Sequence, residues 1–96
     1  MPKLRFTAAA RQDLDAIYDY GFKNFGLDTA DRYAAMLMAT ANALLDFPMI
    51  GTEVPNRKQP LRRISAESHI IYYRPDTKGV LVTRVLHQRM DADRRI

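Results

Sequence analysis

The five residues NFGLD, Asn24 to Asp28, constrain this chain more than any other stretch, because they join two long amphipathic patterns with almost no chain between them. On one side, "AAARQDLDAIYDYGFKNF" repeats small and apolar residues at spacings of three and four: Ala10, Leu14, Ile17, Tyr18 and Gly21, closed by Phe25. That is the period of a helix with one buried face. On the other side, "TADRYAAMLMATANALLDF" does the same through Ala30, Tyr33, Ala34, Leu37, Met38, Ala41, Leu44 and Leu45. Gly26 supplies a stop for the first pattern and Asp28 a cap for the second. Helices joined this tightly have one natural arrangement, an antiparallel hairpin. Alanines on the second stripe let the two approach closely. Thr7 is placed to cap the first helix, and Asp13, Asp15 and Asp19 fall off its stripe, where they are expected in water. Pro48 ends the second helix.

The period then changes. "PMIGTEVPNRKQP", with three prolines and a glycine, reads as a loop. "LRRIS", "HIIYYR" and "VLVTRVLH" follow as strands, with "AES" and "PDTKG" short enough to make hairpins of them. "KLRF", near the start, alternates polar and apolar residues and reads as a first strand. The expected fold is therefore α+β: an N-terminal strand, an antiparallel helix hairpin, then a three-stranded antiparallel meander, in a single domain spanning 1–96. The helices must cover one face of the sheet, because neither layer can bury its apolar side alone. The other face is left for a partner, and the polar, basic tail from about 89 to 96 is expected to be flexible.

Composition narrows the chemistry. The absence of cysteine excludes disulfides, thiol catalysis and cysteine-ligated zinc, and it fits a reducing cytoplasm. No apolar run approaches the roughly 20 residues that span a bilayer, and the charged start is not read as a signal peptide. No membrane association is expected. The net charge of +4 is unevenly placed. Residues 1–56 hold five Lys/Arg against seven Asp/Glu, a balance of −2, while residues 57–96 hold ten against four, a balance of +6. Such a split points to an anionic partner for the second half.

His87, in "RVLHQRMD", is the sharpest chemical candidate. A neutral imidazole can take a proton from a ribose 2′-hydroxyl while arginines hold the phosphate, which would make a metal-free ribonuclease. Strand alternation opposes the simplest version, since Arg84 and His87 are three apart and face opposite ways on a regular strand. The plainer reading is a strand-end histidine bonded to backbone or water. His69 begins the middle strand of the meander. Two histidines with no H-x-x-x-H spacing make a poor metal site, so neither metal nor cofactor is expected. Arg62, Arg63, Arg74, Arg84 and Arg89 form the arginine set; by parity Arg84 stands with Val80, Val82 and Leu86. A guanidinium on a sheet wants a carboxylate or phosphate, from a helix of this chain or from a partner. Tyr72 and Tyr73 alternate faces, so one enters the core and the other is available to a partner. Tyr18, Tyr20 and Tyr33 read as helix packing. Ser65 and Ser68 have no acid–histidine setting, and the four glycines form no phosphate loop.

Taken in order, "AAARQDLDAIYDYGFKNFG", "ADRYAAMLMATANALLDFPMIG", "LRRISAESHIIYYR" and "VTRVLHQRMD" resemble the ParE toxins of the RelE/ParE superfamily, the toxic halves of bacterial type II toxin–antitoxin modules. The resemblance rests on L-D-x-I-Y-x-Y, F-P-x-x-G, H-x-I-x-Y-R and R-V-L-H-x-x-M-D, and it covers nearly the whole chain. It implies the same two helices on a small antiparallel sheet, a cytoplasmic protein, and neutralisation by a ParD-like antitoxin. Such antitoxins pair a ribbon-helix-helix DNA-binding part with a C-terminal segment, often acidic, that wraps the toxin; DNA is then met only indirectly. Candidates for holding that segment are Arg62, Arg63, Tyr73, Arg74 and Arg84, with an apolar anchor expected on the exposed sides of the helices.

The superfamily divides by activity. ParE proteins resemble inhibitors of DNA gyrase and are not known as enzymes in their own right. The RelE-like branch cleaves messenger RNA on the ribosome, and there Arg63, Arg84 and His87 fall where basic residues and a histidine are expected. This chain departs from the nuclease pattern: it has no tyrosine after Tyr73, and its basic cluster before the sheet is only Arg57 and Lys58. Gyrase inhibition is therefore the leading expectation, with His87, Arg89, Met90, Arg94 and Arg95 as target-contact candidates and no catalytic residue. The alternative is a ribosome-dependent endoribonuclease with His87 as general base. A third reading is an inactive toxin homologue that acts as a co-repressor with its antitoxin.

Overall fold

The computed structural model describes residues 1–90. Its elements are strand β1 (Lys3–Phe6), helix α1 (Ala8–Phe25), helix α2 (Leu27–Asp46), and strands β2 (Thr52–Glu53), β3 (Arg62–Ala66), β4 (His69–Asp76) and β5 (Gly79–His87). The α+β class and the helix hairpin are as expected; the sheet is larger. Its order is β1-β5-β4-β3-β2. Strand β1 lies parallel to β5, pairing Lys3 with Gly79 through Phe6 with Val82, and the remaining neighbours are antiparallel. The short β2, inside what reads as loop in sequence, pairs Thr52 with Arg63 and Glu53 with Arg62.

Local chemistry explains the helix boundaries. The Thr7 hydroxyl accepts from the Ala10 N–H at 3.1 Å and donates to the Thr83 carbonyl at 2.8 Å, so one side chain caps α1 and ties it to β5. Gly26 serves as both C-cap of α1 and N-cap of α2, at φ 88° and ψ 175°, a conformation open almost only to glycine. Asp28 is thus inside the first turn of α2 rather than its cap. There its charge complements the helix dipole.

The hairpin packs on one face of the sheet. Ala10, Leu37, Ala41 and Leu44 from the helices meet Ala66, Ile71, Tyr73, Val80, Val82 and Val85 from the sheet. Phe25, Tyr20 and Met38 are exposed instead. The opposite face is not left open. Val54 and Leu61, closed on each other by the Val54 N–H to Leu61 carbonyl bond at 2.8 Å, bury Tyr72 and Leu86 there. Both tyrosines of the Tyr72–Tyr73 pair are fully buried, one in each cluster.

Candidate functional site

The antiparallel register sets which functional side chains are neighbours. The β3–β4 and β4–β5 turns hold two residues each, Glu67–Ser68 and Thr77–Lys78. In an unbroken ladder from Asp76 opposite Gly79, His69 would stand opposite Leu86. A bulge at Thr83 advances the ladder by one, and His69 meets His87 instead. The same bulge moves Arg84 out of the parity of Val80 and Val82: those two and Val85 enter the helix-side cluster, while Leu86 joins the far one. Arg84 consequently stands opposite Tyr72, which in turn stands opposite Arg63. His87, three residues on, belongs to the other face.

Arg84 is not free. Its Nε and Nη2 donate to Asp13 at 2.8 and 3.0 Å, and the backbone N–H of Val85 donates to the same carboxylate at 2.9 Å. Strand β1 ends before this point, so Asp13 of α1 satisfies the edge of β5 that β1 leaves unpaired. Asp13 is therefore a half-buried partner rather than a solvated charge, and its carboxylate raises the Arg84 pKa further. Tyr73 is fully buried, so it has no surface with which to meet an antitoxin. Its hydroxyl donates to the Pro48 carbonyl and accepts from the Gly51 N–H, each at 2.8 Å. Burial pushes its pKa up. Arg62 donates to the carbonyls of Met49 and Gly51. Arg74 reaches Gln59, and Arg63 lies opposite Thr52 at the β2 edge. The loop these groups pin displays Phe47, Met49 and Ile50 to solvent, each more than 60% exposed.

At the far end of the strands, His69, His87 and Tyr33 form a ring cluster. Tyr33 lies edge-on to His69 at 5.4 Å, and His69 edge-on to His87 at 5.2 Å. The Tyr33 hydroxyl accepts from the Ser68 N–H at 3.1 Å and lies 2.6 Å from His69 Nδ1. With its oxygen already accepting, we assign the phenol as donor and place the imidazole proton on Nε2. Burial, then the neighbouring His87, lowers the His69 pKa. His87 Nδ1 accepts from the Arg89 N–H at 3.0 Å, a strand-end histidine bonded to backbone. Arg89 and Met90 are exposed; Arg94 and Arg95 lie outside the described residues. Arg63 and Arg84 thus flank Tyr72 in one cross-strand row, and His87 lies on the other face. Among the described residues no group of three or more His, Asp or Glu is placed to hold a metal, and no helix is long and apolar enough to cross a membrane.

A model of the ParE toxin of type II toxin-antitoxin system, parDE, matches residues 4–92. The chain belongs to the ParE toxin family. It is 35% identical to Toxin ParE1 of Caulobacter vibrioides over 92 residues, covering 96% of this chain and 95% of that one. It is 36% identical to Toxin ParE1 of Mycobacterium tuberculosis over 89 residues, covering 92% and 91%. A solved structure, the chromosomal ParDE TA system from P. aeruginosa, shares the fold with a TM-score of 0.76 over 91% of this chain and 96% of that chain, at 24% identity. In this ParE-family chain, sequence reasoning missed Asp13 as the partner of Arg84 and missed the His69–His87 row. The first had a signal in the carboxylate supply of α1; the second depends on a bulge that no residue pattern announces.

Proposed function

We propose that this ParE-family toxin acts by inhibiting DNA gyrase and is neutralised by a ParD-like antitoxin. The observation that carries this reading is the separation of His87 from the arginines that would hold a phosphate beside it. Among the described residues, Arg84 is bound to Asp13, and His87 is bound to backbone on the other face. A protein that acts by docking needs no such constellation. In this reading His87, Arg89 and Met90, together with Arg94 and Arg95 outside the described residues, contact the target. In this reading the antitoxin's acidic segment meets Arg62, Arg63 and Arg74, and its apolar anchor sits not on the exposed sides of the helices, as the sequence suggests, but on the exposed loop residues Phe47, Met49 and Ile50, beside the arginine that holds the Met49 carbonyl. A tethered loop suits this role because little entropy is lost on binding.

One observation favours the second reading, cleavage of messenger RNA on the ribosome. The His69–His87–Tyr33 cluster places two imidazoles and a phenol together, which is the material of general acid–base chemistry. Two assays on one antitoxin-free preparation separate the readings: DNA supercoiling by purified gyrase, and cleavage of messenger RNA on programmed ribosomes. Loss of supercoiling with intact RNA is expected. Cut RNA with unaffected gyrase would overturn the proposal and make His87 and His69 the residues to mutate.

A further inference from the structure

The end of the helix hairpin carries a second surface whose chemistry is opposite to that of the sheet. Tyr18, Phe22 and Leu27 line an open groove together with Asp15 and Asp19. Phe22 and Leu27 are each at least half exposed. The Tyr18 hydroxyl donates to Asp31 Oδ1 at 2.5 Å, which brings a third carboxylate to the rim from α2. The hydrogen bond to that carboxylate raises the Tyr18 pKa. Lys23 pairs with Asp19 at 2.9 Å, with both side chains largely exposed. Such an exposed pair contributes little and opens easily.

Aromatic faces edged with carboxylates at helical spacing are an arrangement for cationic side chains that also bring apolar surface. A Lys or Arg stem packs along Phe22 and Tyr18 while its charge meets Asp15 or Asp31, and the ring faces add a cation–π attraction. An acidic chain meets three carboxylates here and is repelled. We propose that this groove docks a Lys/Arg-rich amphipathic segment of a partner protein, distinct from the acidic antitoxin segment assigned to the sheet arginines. The toxin then has two interaction faces of opposite sign, matching the −2 and +6 balances of its two halves, and both can be occupied at once. The inference does not depend on gyrase being the target.

The test uses synthetic helical peptides as probes: one of Leu and Lys, one with Glu in place of every Lys, and one with Ser in place of every Leu. Amide shifts of the isotope-labelled chain are followed during titration, with and without the antitoxin bound. The Leu/Lys peptide is expected to move resonances of residues 15–31, to bind more weakly as salt rises, and to do so with the antitoxin present. Asp15→Asn with Asp31→Asn should weaken it about tenfold, and Phe22→Ser comparably, while the melting temperature confirms that the variants fold. Equal binding of the Glu peptide, equal binding of the Lys/Ser peptide, shifts centred on the sheet, or loss of binding when the antitoxin is present would each overturn the proposal.

Discussion

Asp13 shows how one side chain can hold two elements in place. Its carboxylate receives a guanidinium and a backbone N–H from consecutive residues, Arg84 and Val85. Replacing it strands both donors at a half-buried edge. Asp13→Ala should lower unfolding stability by about 1–3 kcal/mol, read as a fall in the chemical-denaturation midpoint. Asp13→Asn, which keeps an acceptor for Val85, should cost less than Asp13→Ala. Equal losses would mean that the charge, not the backbone contact, matters. Tyr73 is the second such residue. Tyr73→Phe retains the buried ring but leaves the Pro48 carbonyl and Gly51 N–H without their partner. A loss of about 1–3 kcal/mol is expected, together with faster amide exchange at Gly51. Gly51 itself admits no larger residue, since a Cβ there would sit 2.5 Å from the Tyr73 hydroxyl oxygen and 2.7 Å from the Arg63 carbonyl oxygen.

At the scale of elements, the Gly26 junction and the Thr83 bulge decide the geometry. Gly26 holds a backbone conformation that costs a side-chain-bearing residue roughly 1–3 kcal/mol. Gly26→Ala should therefore destabilise the chain by that order in thermal unfolding, although nothing lies within 4 Å of the added methyl. An unchanged melting temperature would mean that the hairpin can close through another conformation. The helices were legible because a stripe such as Ala30, Leu37, Ala41 and Leu44 recurs along the 20 residues of α2. Strand β2 was not, because two residues among prolines carry no period. Their pairing with Arg62 and Arg63 follows from the loop being pinned by Tyr73 and Arg62, contacts remote in sequence.

For the whole molecule, His69 links stability to pH. Burial holds the His69 pKa below its ordinary value of 6.5. The unfolded chain therefore takes up the proton first. The stability that neutral His69 contributes is complete above pH 6.5 and is lost as pH falls through that value toward the lower folded-state pKa. His69→Gln, which cannot titrate, should flatten the fall in melting temperature between neutral and mildly acid pH. An identical profile in both proteins would remove His69 as its cause. The two functional readings separate at the same scale. If the segment after β5 docks on the target, truncation after Gln88 abolishes toxicity and His87→Ala is mild. If His87 is a base, His87→Ala alone lowers the cleavage rate on the order of 100-fold or more. Growth arrest on induction, with antitoxin binding as the folding control, distinguishes them.

Much of this protein is written locally. The 3.6-residue stripes, Thr7, Gly26 and the short "AES" and "PDTKG" connections determine two helices in a hairpin and an antiparallel meander, because each depends on neighbours within a turn of chain. The charge split is likewise a property of the sequence alone. Tertiary structure decided what those elements offer. The bulge at Thr83 sets His69 against His87 and turns Arg84 away from the helix-side valines. The end of β1 leaves an edge that Asp13 fills, and the 54–61 loop closes over Tyr72. Each of these depends on the register between strands or on chain segments tens of residues apart meeting at one point. Alternation and periodicity specify which face a residue prefers, but not what it finds there.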